Sequence, residues 1–61
     1  MKQIKIRNLR KGMAFFYKGN LCIKLEYVLK CRQYRIYCRD KTGSSYFDML
    51  DEEDVVSIPI K

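Results

Sequence analysis

The side chains able to do chemistry in this chain are arginine, lysine, tyrosine and cysteine, for there is no histidine among its 61 residues. Arg35, Tyr37 and Arg39 recur at every second position, a spacing that sets two guanidinium groups and a phenol on one face of an extended strand. Guanidinium groups neutralise phosphates while an aromatic ring between them offers a stacking platform, and small β-barrels hold RNA or single-stranded DNA in this way. Lys5, Arg7, Lys24 and Lys30 fall on the polar sides of strand-like segments, where they would widen the same basic surface. Tyrosine and arginine are also enriched at protein interfaces, so a docking surface for another protein is the competing reading.

Other chemistries lack their residues. Proton transfer most often uses histidine, and none is present, so the chain is expected not to be an enzyme. Asp48, Asp51, Glu52, Glu53 and Asp54 do not have the EF-hand spacing with its glycine and distal glutamate, and they read as a solvated turn. Cys22, Cys31 and Cys38 form no CxxC pair, leave one thiol over in any disulfide scheme, and have no histidine to complete a zinc site. Reduced thiols, no metal and no cofactor are expected. Gly12, Gly19 and Gly43 stand singly and build no phosphate-binding loop.

Charge is divided unevenly along the chain. Residues 1 to 47 carry a net +10 and residues 48 to 61 a net −4, for a total of +6. A basic body with one acidic corner attracts polyanions to some faces and repels them from another. No run approaches the ~20 apolar residues of a membrane helix, and MKQIKIR interleaves charge with isoleucine where a signal peptide would be continuously apolar. The expectation is a soluble, cytoplasmic protein without a membrane partner.

The elements that must position these residues are mostly strands. Val, Ile, Thr, Phe and Tyr together supply 18 residues, while alanine occurs once. Residues 3 to 7 alternate around Ile4 and Ile6, and Met13 to Lys18 follows a turn at Gly12. Gly19-Asn20 fits a two-residue hairpin loop, with Gly19 supplying the first positive φ of a type II′ turn. From Leu21 the odd positions Leu21, Ile23, Leu25, Tyr27 and Leu29 are apolar, which predicts a long strand with that face inward; helical spacing over residues 21–32 competes but places Ile23 and Tyr27 poorly. The joint from Lys30 to Gln33 carries no turn signal. Residues 34 to 39 alternate, Asp40 to Gly43 is a β-turn, Ser45 to Leu50 alternates again, and Val55 to Ile60 is a last strand limited by Pro59.

Five or six short antiparallel strands in one domain, residues 1–61, can bury a core only by curling into a small barrel. An all-β Src-homology-3-like (SH3-like) barrel is expected, ahead of an oligonucleotide-fold-like barrel. The predicted core is Ile4, Ile6, Leu9, Phe15, Ile23, Leu25, Ile36, Phe47, Val56 and Ile58. A chain this short buries only ~60% of its unfolded surface, so its stability should be marginal.

The pattern Leu9-x-x-Gly12-x-x-Phe15-x-Tyr17-x-Gly19, then Ile23-Lys24, and later Gly43-x-x-Tyr46-Phe47-Asp48 before Val55-Val56-x-Ile58, resembles short bacteriophage proteins of small-barrel type. Met13 stands where that pattern usually has aspartate, and Cys22 where it usually has an aromatic residue. The resemblance implies a small barrel acting in a host cytoplasm and supplies no catalytic or binding residues. The leading expectation is a module that binds RNA or single-stranded DNA through Arg35, Tyr37 and Arg39, with Lys24, Lys5 and Arg7 around them. The alternative is an inhibitor or adaptor docking on a host protein such as a nucleic-acid enzyme or defence component. A homodimer paired through an exposed strand edge is a further expected mode of association.

Overall fold

Three short turns with positive φ, at Lys18-Gly19, Arg32 and Gly43, fold the middle of the chain into a meander, as seen in a computed structural model that describes residues 1–60. The strands are β1 (Lys2–Lys5), β2 (Ala14–Tyr17), β3 (Asn20–Val28), β4 (Gln33–Arg39), β5 (Ser45–Asp51) and β6 (Val55–Ile58), with a 3-10 turn at Ile6–Asn8. All pairings are antiparallel in one sheet ordered β1-β6-β2-β3-β4-β5, which curls into an SH3-like half-barrel with β1 and β5 at its edges. Residues 20–28 are strand, so the helical alternative falls away. β6 stops at Ile58, one residue before Pro59.

The hairpin between β2 and β3 turns one residue earlier than expected. Tyr17 pairs with Asn20, so the loop is Lys18 (φ 50°) and Gly19 (φ 80°). Both loop residues have positive φ, which is the type I′ arrangement whose twist suits a two-residue hairpin. Phe15 is buried and pairs with Cys22, and directly opposed residues share a face of the sheet. Cys22 and Lys24 therefore point inward, while Leu21 and Ile23, on the face expected to be inward, are exposed on the outer face. The β3–β4 register shifts again between Lys24 and Tyr27; this bulge leaves Leu25 half-buried and brings Tyr27 opposite Tyr34, ring centroids 4.8 Å apart.

The core consists of Ile6, Leu9, Phe15, Cys22, Ile36, Cys38, Leu50 and Val56, with Ile4, Tyr17, Tyr34 and Ile58 packed around it. Ile23, Leu25 and Phe47 are corrections to the expected list: Leu25 is half-buried outside the core cluster, and Phe47 lies 61% exposed. Its strand explains why: Phe47 pairs with Tyr37 and Asp48 with Ile36, so the residues sharing the outer face with Tyr37 are Ser45, Phe47 and Met49. Leu50, opposite Tyr34, takes the inward place.

The β4–β5 turn matches its sequence signal. Gly43 donates its N–H to the Asp40 carbonyl (3.1 Å), while one Asp40 carboxylate oxygen accepts from the Thr42 N–H (2.9 Å), the Thr42 hydroxyl (2.7 Å) and the Ser44 N–H (3.0 Å). These donors hold the Asp40 pKa below its ordinary value, with the Thr42 hydroxyl contributing most. No helix among the described residues is long and apolar enough to cross a membrane.

Candidate functional site

β4 places Arg35, Tyr37 and Arg39 on the outer face of the sheet, because Tyr34, Ile36 and Cys38 between them turn toward the core. Across the strands they meet residues that sequence reasoning had assigned elsewhere. Ile23, Tyr37 and Phe47 form one cross-strand row, and Leu21, Arg39 and Ser45 form the next. The rings of Tyr37 and Phe47 lie with centroids 5.2 Å apart at an interplanar angle of 57°, a tilted contact of the favourable kind. The Arg35 guanidinium carbon sits 4.8 Å from the Phe47 ring centre.

Leu21, Ile23, Tyr37 and Arg39 line a shallow cavity of about 250 Å³ on this face. Its walls are apolar side chains with one guanidinium at the rim. Phe47, Leu21 and Ile23 were the part of the site that sequence reasoning missed. The signal that could have found Leu21 and Ile23 is the two-residue length of the β2–β3 loop: in either placement it sets the core residue Phe15 opposite an even-numbered residue of β3, which turns the odd-numbered ones outward.

Arg35 is partly engaged within the protein. Its Nε lies 3.3 Å from Glu26 Oε1, within ion-pair range, but the direction makes no hydrogen bond and the buried Nε has no such partner. Arg39 makes no salt bridge among the described residues and is exposed. Lys18 and Lys41 lie at the same end of the sheet, in adjacent turns: a methyl group built on Gly19 would be 3.9 Å from Lys41 Cε.

Three expected members do not join this surface. Lys24 is turned inward and only 4% exposed; its Nζ donates to the Leu9 carbonyl and lies 4.0 Å from the Tyr34 ring centre. Burial lowers its pKa below the ordinary lysine value, because the charged form loses hydration. Lys5 belongs to β1, which β6, β2 and β3 separate from β4, and Arg7 sits in the 3-10 turn. Both reach Glu53, with Lys5 Nζ 2.9 Å from Oε1 and Arg7 Nη1 2.6 Å from Oε2. Lys5 gives the largest push in lowering the Glu53 pKa. The acidic corner is thereby countered by the basic N-terminal segment, an arrangement that only the fold could create. Tyr27 donates its hydroxyl to Glu52 beside it, which raises the phenol pKa to about 12.

Comparison with protein families, curated proteins and solved structures finds no match. The β5 border of this face is partly closed to strand addition: the Met49 N–H donates to Asp48 Oδ1 (2.8 Å) and the Asp51 N–H to Asp54 Oδ2 (2.9 Å). An edge strand whose outward N–H groups are already occupied is a poor template for a second copy. Among the described residues no cluster of cysteines and carboxylates is arranged to hold a metal ion.

Proposed function

We propose that the protein is a non-enzymatic binding module whose outer β3–β4–β5 face takes single-stranded nucleic acid, RNA or DNA. The observation that carries this reading is the exposed Phe47 ring against the half-buried Tyr37 ring, with Arg35 and Arg39 on either side of Tyr37 along β4. A base stacks on the rings against Leu21 and Ile23, and the phosphates run toward Arg39, Lys18 and Lys41. Every base has a π-face, so such a surface tolerates many sequences.

Fluorescence anisotropy with short labelled oligonucleotides at two salt concentrations tests it. Affinity should fall with salt with a log-log slope of about −0.7 per phosphate neutralised on a single strand. Arg39→Ala should lower that slope by a little under one, whereas Tyr37→Ala and Phe47→Ala should each weaken binding by about 1–3 kcal/mol with little change in slope. If no oligonucleotide binds more tightly than ~100 μM at low salt, the reading fails.

A second reading is docking on a host protein, in keeping with the resemblance to small phage proteins. The specific observation in its favour is the apolar lining of the cavity, where Leu21 is 45% exposed, together with Arg35 already held against Glu26 and Phe47. Phe47 and Tyr37 would then be anchors whose loss mainly speeds dissociation. A partner captured equally with and without nuclease, combined with no oligonucleotide binding, supports this second reading.

A further inference from the structure

Behind the outer cavity, on the inner side of the same two strands, lie two thiols. Cys22 and Cys38 are direct cross-strand partners, 1% and 2% exposed, and both are free. The hydrogen-bond pattern tells what kind of pair they are. The Lys24 N–H donates to the Met13 carbonyl (3.0 Å) and the Lys24 carbonyl accepts from the Gly12 N–H (2.7 Å), so Lys24 directs its backbone groups away from β4. Cys22, two residues earlier on the same regular stretch, does likewise. The Cys22–Cys38 pair is thus a non-hydrogen-bonded site, where Cα atoms lie about 4.5 Å apart and side chains approach most closely. A disulfide accepts Cα separations from about 4.4 to 6.8 Å, so the site sits inside that range at its short end.

We propose that Cys22 and Cys38 are a reversible cross-strand disulfide site, oxidised by low-molecular-weight disulfides such as glutathione disulfide. One cysteine thiolate attacks the small disulfide, forming a mixed disulfide and releasing one small thiol. The second cysteine thiolate then attacks the protein sulfur of that mixed disulfide, closing the Cys22–Cys38 bond and releasing the other small thiol. Two protein S–H bonds break and one S–S bond forms; two electrons pass to the oxidant, and the protons pass to the departing thiolates. Burial pushes the Cys22 thiol up to about 12, and the neighbouring Cys38 thiol adds to the shift, so exchange waits on transient opening of the sheet.

The position gives the bond a consequence. Leu21, Ile23, Tyr37 and Arg39, the residues lining the outer cavity, are the immediate chain neighbours of the two cysteines. A covalent link on the inner side therefore fixes the spacing of the strands that form the cavity, whatever that cavity binds.

Cys31 is exposed in the β3–β4 turn and would form adducts of its own, so the test uses Cys31→Ser. The folded variant is equilibrated with glutathione disulfide and glutathione at increasing ratios, quenched with acid, alkylated after denaturation and mapped by peptide mass. The expected result is loss of two hydrogens from the intact chain, a linked peptide joining Cys22 to Cys38, a retained β-sheet circular dichroism spectrum, and full return to free thiols with dithiothreitol. Free alkylatable thiols at every ratio, stable glutathione adducts without closure, or closure only with loss of the sheet spectrum would each overturn the proposal.

Discussion

The same substitution on the two faces of the sheet is the sharpest check on this fold. Ile36 on β4 is 0% exposed and Ile23 on β3 is 38% exposed, while both are β-branched residues in central strands. Ile36→Thr removes about two carbons from the core at ~0.8 kcal/mol each and adds a hydroxyl with no partner, at a further ~1–3 kcal/mol. The expected loss is about 3–4 kcal/mol, against a total stability of about 3–9 kcal/mol for a domain this size. In a domain this small that lowers Tm by roughly 10–30 °C. Ile23→Thr keeps β-branching and lets its hydroxyl reach water, so it should cost about 0.5 kcal/mol and a few degrees. Thermal unfolding followed by circular dichroism measures both. Equal shifts would refute the face assignment of β3, and with it the composition of the outer cavity.

Lys24→Met tests the buried cation: because the folded-state pKa is lowered, in the window between that value and 10.5 the unfolded chain still holds a proton the folded chain has shed. Wild-type stability should therefore rise with pH relative to the variant across that window, and a flat difference in urea unfolding would refute the assignment. Lys18→Asn should stabilise by about 0.5–1 kcal/mol, since Lys18 holds φ 50° and asparagine tolerates that region better than lysine; a lower urea midpoint would contradict the type I′ turn. In an absorbance titration one of the five tyrosines should ionise near 12, and Glu52→Ala should return it toward 10 by removing the acceptor and its charge; an unmoved curve would show that Tyr27 does not bond Glu52.

Several elements were legible because their signals are local. Alternation over residues 34–39 identified β4 and its outward Arg35, Tyr37 and Arg39, and the Asp40–Gly43 turn is specified by one carboxylate and one glycine. Ile6, Leu9, Phe15, Ile36 and Val56 could be placed in the core because each is apolar where the pattern turns inward. The β3 residues failed for a physical reason: their pattern is apolar on both faces, Leu21 and Ile23 on one, Cys22 and Val28 on the other, so alternation could not choose between them.

The choice was made by pairing with β2. Buried Phe15 lies opposite Cys22, so the even-numbered residues of β3 face the core up to the bulge and Leu21 and Ile23 face out. Sequence alone determined the all-β class, the Asp40–Gly43 turn and the outward face of β4, since each follows from residues close in the chain. Tertiary structure decided which lysines remain on the surface, which acids are countered, and that Phe47 joins Tyr37, because those outcomes depend on pairing between residues far apart. Lys24 shows the difference most plainly. Its type argues for water, and only a carbonyl from residue 9 and a ring from residue 34, brought together by the curled sheet, make its burial tolerable.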